Sequence, residues 1–190
     1  DGATPPRRVV SPVTGPKEFN GAATVETKSD FYGDDGSYAG TNMGYNAFVD
    51  SFLVSYGMTG SNVRQTMSPP RRQPVAMEPG QTFDFTYTTR NEYADRVEEG
   101  TTTTAYTYVG RETLQSAVGT FAVCKFTTHQ VDTPITSSPT TQTFDKISWV
   151  AAEGPYRGFE LRTEVVAQYP NAPTIRQVLQ PTKISVFDIK

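Results

Sequence analysis

Residues 105–126, AYTYVGRETLQSAVGTFAVCKF, hold two runs typical of β-strands around a group of small residues. The tyrosines of the first run recur at every second position, as in a strand with two unlike faces. Gly110 interrupts this run as a bulge or a close approach of backbones would. Gly119 permits a turn with a positive φ angle. The stretch predicts an antiparallel pair of strands, with 111–118 open as paired strand or irregular loop.

The composition favours a folded, strand-rich protein. The chain has 190 residues, of which 36% are hydrophobic and 12% aromatic, too many for a disordered chain. Frequent Thr and Tyr with little Leu favour strands. The net charge of −3 offers no overall basic field for nucleic acid, and no apolar run approaches the ~20 residues of a membrane-spanning helix.

The N-terminal residues 1–18, DGATPPRRVVSPVTGPKE, are rich in proline. They are typical of a flexible tether between a removed targeting segment and a folded domain, although a frayed terminus has the same composition. We therefore expect a leader over 1–18 and a single β domain over 19–190, with two domains as the alternative. The lone Cys124 excludes an internal disulfide within this sequence.

Alternating patterns on both sides of the opening stretch predict eight to ten short strands. The main segments are strands at 19–27, 46–58, 83–88, 143–151, 159–168, 174–179 and 183–189, with a short helix as the alternative for 46–58. Segment 28–45 is interpreted as a long loop or loose hairpin, 91–100 as a turn region, and 131–141 as a loop. Prolines exclude a central strand throughout 59–80, although 73–77 could serve as an edge. The expected fold is mainly β with little helix, a single antiparallel sheet forming a barrel, half-barrel or sandwich.

Four short motifs carry a resemblance to a known family. They are VGRET at 109–113, VGTFAVC at 118–124, SWVAAEG at 148–154 and GFEL at 158–161. Together they resemble exported bacterial β-rich domains of unknown function with the pattern V-G-x-E, G-T-F, W-x-A-x-G, over about 101–168. Ser116 stands where that family usually has Pro. The resemblance implies a strongly curved sheet and a periplasmic or outer-membrane-anchored protein, and it offers no catalytic residues.

The residues that most often carry catalysis do not form a set here. His129 is the only histidine, so any triad would have to include it. A Cys124–His129 pair would be roughly 16 Å apart on one extended strand, with the side chains on opposite faces. Cys124 is therefore interpreted as a small core residue and His129 as an ordinary imidazole. We expect no enzyme activity and no cofactor.

No metal site is expected from the acidic residues. Asp30, Asp34 and Asp35 precede Gly36, but their spacing does not match a calcium-binding loop, and turn chemistry explains them. Glu112, beside Arg111 and after Gly110, is the carboxylate with the strongest claim to a binding role.

Aromatic residues within 28–45 are the main candidates for a binding surface. In a glycine-rich segment they could contact a partner or a glycan, or they could simply cover the open end of a sheet. The candidate ligand-binding residues are Phe31, Tyr32, Tyr38, Tyr45 and Glu112.

Three functions follow as hypotheses. The first is a non-enzymatic cell-envelope module that binds a protein, glycan or other surface polymer. The second is a carrier of a lipid or other apolar ligand, which requires a continuous apolar cavity lined by Phe48, Phe52, Phe83, Phe85 and Phe121. The third is a hydrolase, which requires two of Glu112, Asp145, Glu153 and Glu160 to converge in a cleft.

Overall fold

A computed structural model describes residues 8–10, 13–32, 37–134, 141–170 and 172–181. Within these ranges the chain forms twelve strands and one short 3₁₀ turn, Gly154–Tyr156. The strands are β1 Arg8–Val10, β2 Val13–Phe19, β3 Ala22–Tyr32, β4 Tyr38–Val49, β5 Phe52–Thr59, β6 Arg64–Pro74, β7 Thr82–Glu92, β8 Val97–Ser116, β9 Gly119–Pro134, β10 Gln142–Ala151, β11 Glu160–Gln168 and β12 Ile175–Leu179. None of the helices in the described ranges has the length and apolar character needed to cross a membrane.

The strands form one antiparallel sheet in which β3 to β12 follow their order in the chain. β1 pairs with the C-terminal end of β3, and β2 pairs with its N-terminal part. The predictions of a mainly β protein and of one antiparallel sheet are confirmed, whereas over the described residues the sheet is not closed into a barrel. A meander of this kind needs only short turns between neighbouring strands.

The chain forms two compact units. Unit 1 contains Asp1–Val75, Thr86–Thr101 and Pro134–Ser137, and unit 2 contains Ala76–Phe85, Thr102–Thr133 and Ser138–Lys190. β7 and β8 each contribute residues to both units. A single domain over 19–190 remains a prediction.

The predicted hairpin at 105–126 is formed by β8 and β9. Ser116 ends β8, and its hydroxyl donates to the carbonyl of Gly119 at 3.0 Å while accepting from the amide of Val118 at 3.3 Å. Segment 111–116 is thus strand rather than irregular loop. Gly110 and Gly119 have φ angles of 141° and 135°, which favour glycine.

Two predicted strands are instead hairpins. Asn20 and Gly21, with φ angles of 50° and 74°, turn the chain between β2 and β3, so 19–27 is not one strand. Asp50 and Ser51, at 47° and 65°, divide 46–58 between β4 and β5. Two successive positive φ angles match the tight turn that suits the twist of paired strands. Neither Asp50 nor Ser51 is the glycine that usually signals such a turn.

Three other segments are also more regular than expected. Segment 28–45 is mostly the paired strands β3 and β4. Strand pairing already begins at Arg8, inside the expected leader 1–18. β9 runs to Pro134, into the loop predicted at 131–141. The strand predicted at 183–189 lies outside the described residues.

β6 occupies 64–74 and is a central strand despite its prolines, whereas the rest of 59–80 outside β5 is not strand. β5 pairs with 64–66 and with 71–74, and β7 pairs with 64–68. Pro69 and Pro70 therefore fall outside both ladders, where their missing N–H groups cost no pairing. The prolines therefore interrupt the pairing of this strand without ending it.

The core of unit 2 lies around Trp149. The buried cluster consists of Leu114, Val123, Trp149, Ala151 and Leu161, with Phe121, Ile147 and Tyr156 packed against it. The register of β10 on β11 shifts beside Trp149, so Trp149 is opposite Arg162 while Val150 is opposite Glu160. This bulge lets Leu161 and Arg162, adjacent in sequence, both approach the same indole.

The core of unit 1 is smaller and aromatic. Phe19 and Tyr45 stack with their ring centroids 4.1 Å apart and their planes 10° apart. Gly57 makes room for this stack, because a Cβ there would lie 3.0 Å from the Phe19 ring and 2.1 Å from the carbonyl oxygen of Gln65. Tyr45 and Phe19 are each 7% exposed.

Candidate functional site

Three turns lie at one end of unit 1. Alternate turns of an antiparallel meander lie at the same edge of the sheet, and here they join β3 to β4, β5 to β6, and β7 to β8. A Cβ on Gly40, in the first hairpin, would lie 3.8 Å from Oγ of Ser61 in the second turn. Ser61 and Asn62 line the same cleft as residues of the third turn. We call this surface the tip row, and it comprises Tyr32, Tyr38, Ser61, Asn62, Tyr93 and Arg96.

We number the tips along the chain: the first is at the paired ends of β3 and β4, the second at those of β5 and β6, and the third at those of β7 and β8. The first tip presents two tyrosines. Tyr32 and Tyr38 meet edge to face with ring centroids 6.1 Å apart, and Tyr38 is 61% exposed. The Thr41 hydroxyl donates to the Asp30 carboxylate, so the Tyr38 hydroxyl donates to Thr41 Oγ1 at 2.6 Å. This chain of hydrogen bonds fixes the exposed tyrosine.

Asp30 is held in its ionised form beneath this pair. Hydrogen bonds from the Thr41 hydroxyl and from Lys28, whose Nζ lies 2.9 Å from the carboxylate, lower the pKa of Asp30 below its usual value. The tip therefore combines a fixed aromatic ring with a carboxylate acceptor and an ammonium donor.

An open cleft of about 530 Å³ lies between the second and third tips. Its lining consists of Ser61, Asn62, Glu92, Tyr93, Ala94, Asp95 and Arg96. The amide of Tyr93 donates to the carbonyl of Arg96 at 2.9 Å and closes the turn. The guanidinium carbon of Arg96 lies 4.1 Å from the centroid of the Tyr93 ring. This cation–π contact holds the ring at the mouth of the cleft.

Glu92, on one wall of the cleft, lies between two arginines. Its carboxylate accepts from Arg90 at 3.0 Å and from Arg64 at 3.3 Å, and these bonds, that from Arg90 first, lower the pKa of Glu92. Arg90 also donates to Glu99 at 2.7 Å. The result is an ionic ladder across β6, β7 and β8.

The remaining charges of the cleft are also paired. Arg96 donates from Nε to Glu98 at 2.8 Å and from a terminal nitrogen to Asp95 at 3.2 Å. Asp95 is the most exposed of these groups, since its side chain is 75% accessible. A ligand entering the cleft thus meets no cation without a carboxylate beside it among the lining residues.

The predicted aromatic site is only partly assembled. Tyr32 and Tyr38 lie together, but Phe31 is opposite Gly40 and, as the next residue along β3, points to the other face. Tyr45 is a buried core residue, so its assignment to a binding surface was wrong. Its exposure could not be predicted without knowing that Phe19 stacks on it.

Tyr93 and Arg96 were missed by the sequence analysis, which placed them in a charged turn at 91–100. The only available signal was an aromatic residue and an arginine three positions apart in that turn, a spacing that permits contact across a tight reversal. Ser61 and Asn62 carry no pattern of their own.

Glu112 lies in unit 2 and contacts a core residue. Its carboxylate accepts from the indole nitrogen of Trp149 at 2.5 Å, and Lys125 Nζ is 3.6 Å away. Lys125 and Arg162 lie 5.2 Å and 5.3 Å from the centroid of the indole ring. Trp149 itself is 7% exposed, whereas the Glu112 side chain is 42% exposed, so Glu112 supports the core from its accessible side.

Two of the other carboxylates considered for a hydrolase, Asp145 and Glu160, pair with different basic residues. Asp145 is 2.7 Å from Nδ1 of His129, and Glu160 is 2.9 Å from Nζ of Lys146. Glu153 precedes the 3₁₀ turn and makes no capping hydrogen bond there. Within the described residues, no group of three or more His, Cys, Asp or Glu side chains is arranged to hold a metal ion.

The phenylalanines weighed for an apolar carrier have unlike surroundings. Phe48 is 76% exposed, and Phe52 lies 4.3 Å beneath the Arg72 guanidinium. Phe83 and Phe85 stack on each other with ring centroids 6.1 Å apart. Phe121 packs on the core of unit 2.

Cys124 is half-buried in unit 2, and the Tyr108 hydroxyl donates to its sulfur at 3.8 Å. His129 is not near it in register, because Cys124 is opposite Val150 and His129 is opposite Asp145. The two residues therefore do not form a nucleophile and base, as the spacing along the strand predicts.

Comparison with protein-family models, with curated proteins and with solved structures gives no match for this chain. The resemblance carried by 101–168 therefore stays a prediction.

Proposed function

We propose that this protein is a non-enzymatic module of the bacterial cell envelope, periplasmic or anchored at the outer membrane, that binds a surface polymer or a protein through the tip row. The location is supported by the motifs within 101–168. The binding role is supported chiefly by one observation, the alignment of three turns that present Tyr32, Tyr38 and Tyr93 at one end of unit 1.

Tyrosines suit such a surface because each offers a rigid, flat apolar face and a hydroxyl at little entropic cost. In the first tip the exposed ring of Tyr38 is fixed by its hydrogen bond to Thr41. In the third tip Arg96 fixes the ring of Tyr93. A ligand that contacts these rings does not have to order them first, which preserves binding free energy.

The spacing of the tips favours an extended ligand. Successive tips are two strands apart, about 10 Å, so the row spans roughly 20 Å from the first tip to the third. A polymer chain or an extended segment of protein can contact all three tips, whereas a small molecule can contact one. Of the two, the exposed hydroxyl of Ser61 and the exposed amide of Asn62 at the cleft favour the polymer.

The test is binding of purified protein to isolated bacterial envelope material, followed by sedimentation. We expect Tyr38→Ala combined with Tyr32→Ala to weaken binding about tenfold, as loss of central aromatic contacts does in other interfaces. Phe159→Ala is the matched control, because Phe159 is an exposed aromatic residue (58%) of unit 2. Equal binding by the tyrosine variant and the control would refute the role of the tip row.

A further inference from the structure

We infer that the cleft between the second and third tips takes a neutral, hydroxyl-rich sugar unit and discriminates against anionic polymers. The inference rests on the proposed function and names the class of polymer. Its basis is the pairing of charges in and beside the cleft, together with the polar groups that remain available to hydroxyls.

The cationic groups in the cleft lining (Arg96) and beside it (Arg64 and Arg90) are matched by a larger number of carboxylates. Three guanidinium groups face four carboxylates within salt-bridge distance. The guanidinium groups belong to Arg64, Arg90 and Arg96, and the carboxylates to Glu92, Asp95, Glu98 and Glu99. A phosphate or carboxylate on a polymer would have to displace one of these acids or lie beside it, and like charges at close range repel.

A hydroxyl group meets no such obstacle. Carboxylate oxygens accept from hydroxyls, an amide such as that of Asn62 both donates and accepts, and the hydroxyl of Ser61 does the same. Both Ser61 and Asn62 are exposed to solvent at the cleft. Arg96 has five N–H donors, of which Glu98 and Asp95 occupy two, and its side chain is 53% accessible.

The ring of Tyr93 supplies the apolar part of the contact. Arg96 covers one face of this ring, and the opposite face is the one that could pack against the C–H face of a sugar. The cleft volume of about 530 Å³ lies within the range of pockets that hold small organic groups.

A glycan array with neutral and acidic members, followed by titration of soluble neutral glucan and of alginate, tests the inference. We expect retention on neutral glycans that persists in about 0.5 M sodium chloride, since hydrogen bonds and stacking are not screened as ion pairs are. Tyr93→Ala and Asn62→Ala should each weaken it about tenfold, and Tyr93→Phe, which keeps the ring, should weaken it little. Phe159→Ala controls for non-specific effects.

A charge-releasing variant gives a second, independent readout. Asp95→Asn combined with Glu98→Gln removes both partners of Arg96. This variant should gain binding to alginate that about 0.5 M salt abolishes.

The outcomes separate this inference from the proposed function. Binding of the unaltered protein to acidic glycans alone overturns the inference. Absence of carbohydrate binding, with a protein partner lost in the Tyr32 and Tyr38 variant, overturns the inference and leaves the proposed function intact. If the charge-releasing variant does not gain alginate binding, the inference that paired charges exclude anionic polymers is overturned.

Discussion

The indole nitrogen of Trp149 in β10 donates a hydrogen bond of 2.5 Å to the carboxylate of Glu112 in β8. This bond joins β8 and β10 at positions 37 residues apart in the chain, beside the core of unit 2. Lys125 lies within 3.6 Å of the same carboxylate and 5.2 Å from the indole centroid. Glu112, selected from the sequence as a possible ligand-binding residue, is thus part of the support of the core.

Replacing Glu112 with Ala should destabilise unit 2. The variant loses the acceptor of the indole N–H group and the partner of Lys125, and we expect the free energy of unfolding to fall by about 1 to 2 kcal/mol, because the Glu112 side chain is 42% exposed. Glu112→Gln keeps an oxygen acceptor and should lose less. Urea unfolding followed by the fluorescence of Trp149, the single tryptophan, measures both. Glu153→Ala, at an exposed site, is the control, and a matching loss there would refute the assignment.

Leu161 should be the most sensitive apolar position of unit 2. Its side chain is fully buried among Val123, Trp149 and Ala151. We expect Leu161→Ala to cost about 2 to 5 kcal/mol through lost burial and the cavity that remains. Ile175→Ala, at a position 45% exposed in β12, should cost far less. Thermal unfolding of the two variants provides the comparison, and similar losses would contradict the assignment of the core.

The strand content of this chain was predictable, but several turns were not. Alternation of Phe83, Phe85 and Tyr87 marks β7, and the Gly119 region marks the turn from β8 to β9. The turn at Asp50 and Ser51 was missed because it lacks the glycine that usually reveals positive φ, although Asp is among the residues that adopt such angles more often. The central position of β6 was missed because pairing skips Pro69 and Pro70, a feature of the register and not of the sequence alone.

The candidate site was predictable in part for a similar reason. Tyr32 and Tyr38 were recognisable as aromatic residues near a Gly/Asp turn. Whether they lie at the same edge of the sheet as Tyr93 depends on the number of strands between the two turns. The sequence did not predict this number, because 46–58 is a hairpin and not one strand. Tyr45 was misassigned because burial depends on its neighbour Phe19, which is 26 positions away.

Gly57 should not tolerate alanine. Its φ angle is 152°, and a Cβ would lie 2.1 Å from the carbonyl oxygen of Gln65 and 3.0 Å from the Phe19 ring. We expect Gly57→Ala to break the pairing of β5 with β6 and to disturb the Phe19–Tyr45 stack, visible as lost near-UV circular dichroism. Gly80→Ala is the matched control, because Gly80 has a φ angle of 83° but nothing within 4 Å of the added Cβ, so only backbone strain of about 1 kcal/mol is expected. Equal effects of the two changes would show that the contact with Gln65 is unimportant.

Glu160 should make the stability of unit 2 dependent on acid pH. Burial by itself raises the pKa of Glu160, but hydrogen bonds from Thr163 first, then from Lys146 and Ser148, lower it below its usual value of 4.5. A carboxyl group with a lower pKa in the folded state stabilises the protein above 4.5, and this contribution disappears as the pH falls through the folded pKa. Glu160→Gln should therefore lower the melting temperature at neutral pH and approach the unaltered protein near about pH 3. Thermal unfolding across this range measures the difference, with Glu153→Gln as the control. A difference between Glu160→Gln and the unaltered protein that stays constant with pH would show that the carboxylate of Glu160 is not the group responsible.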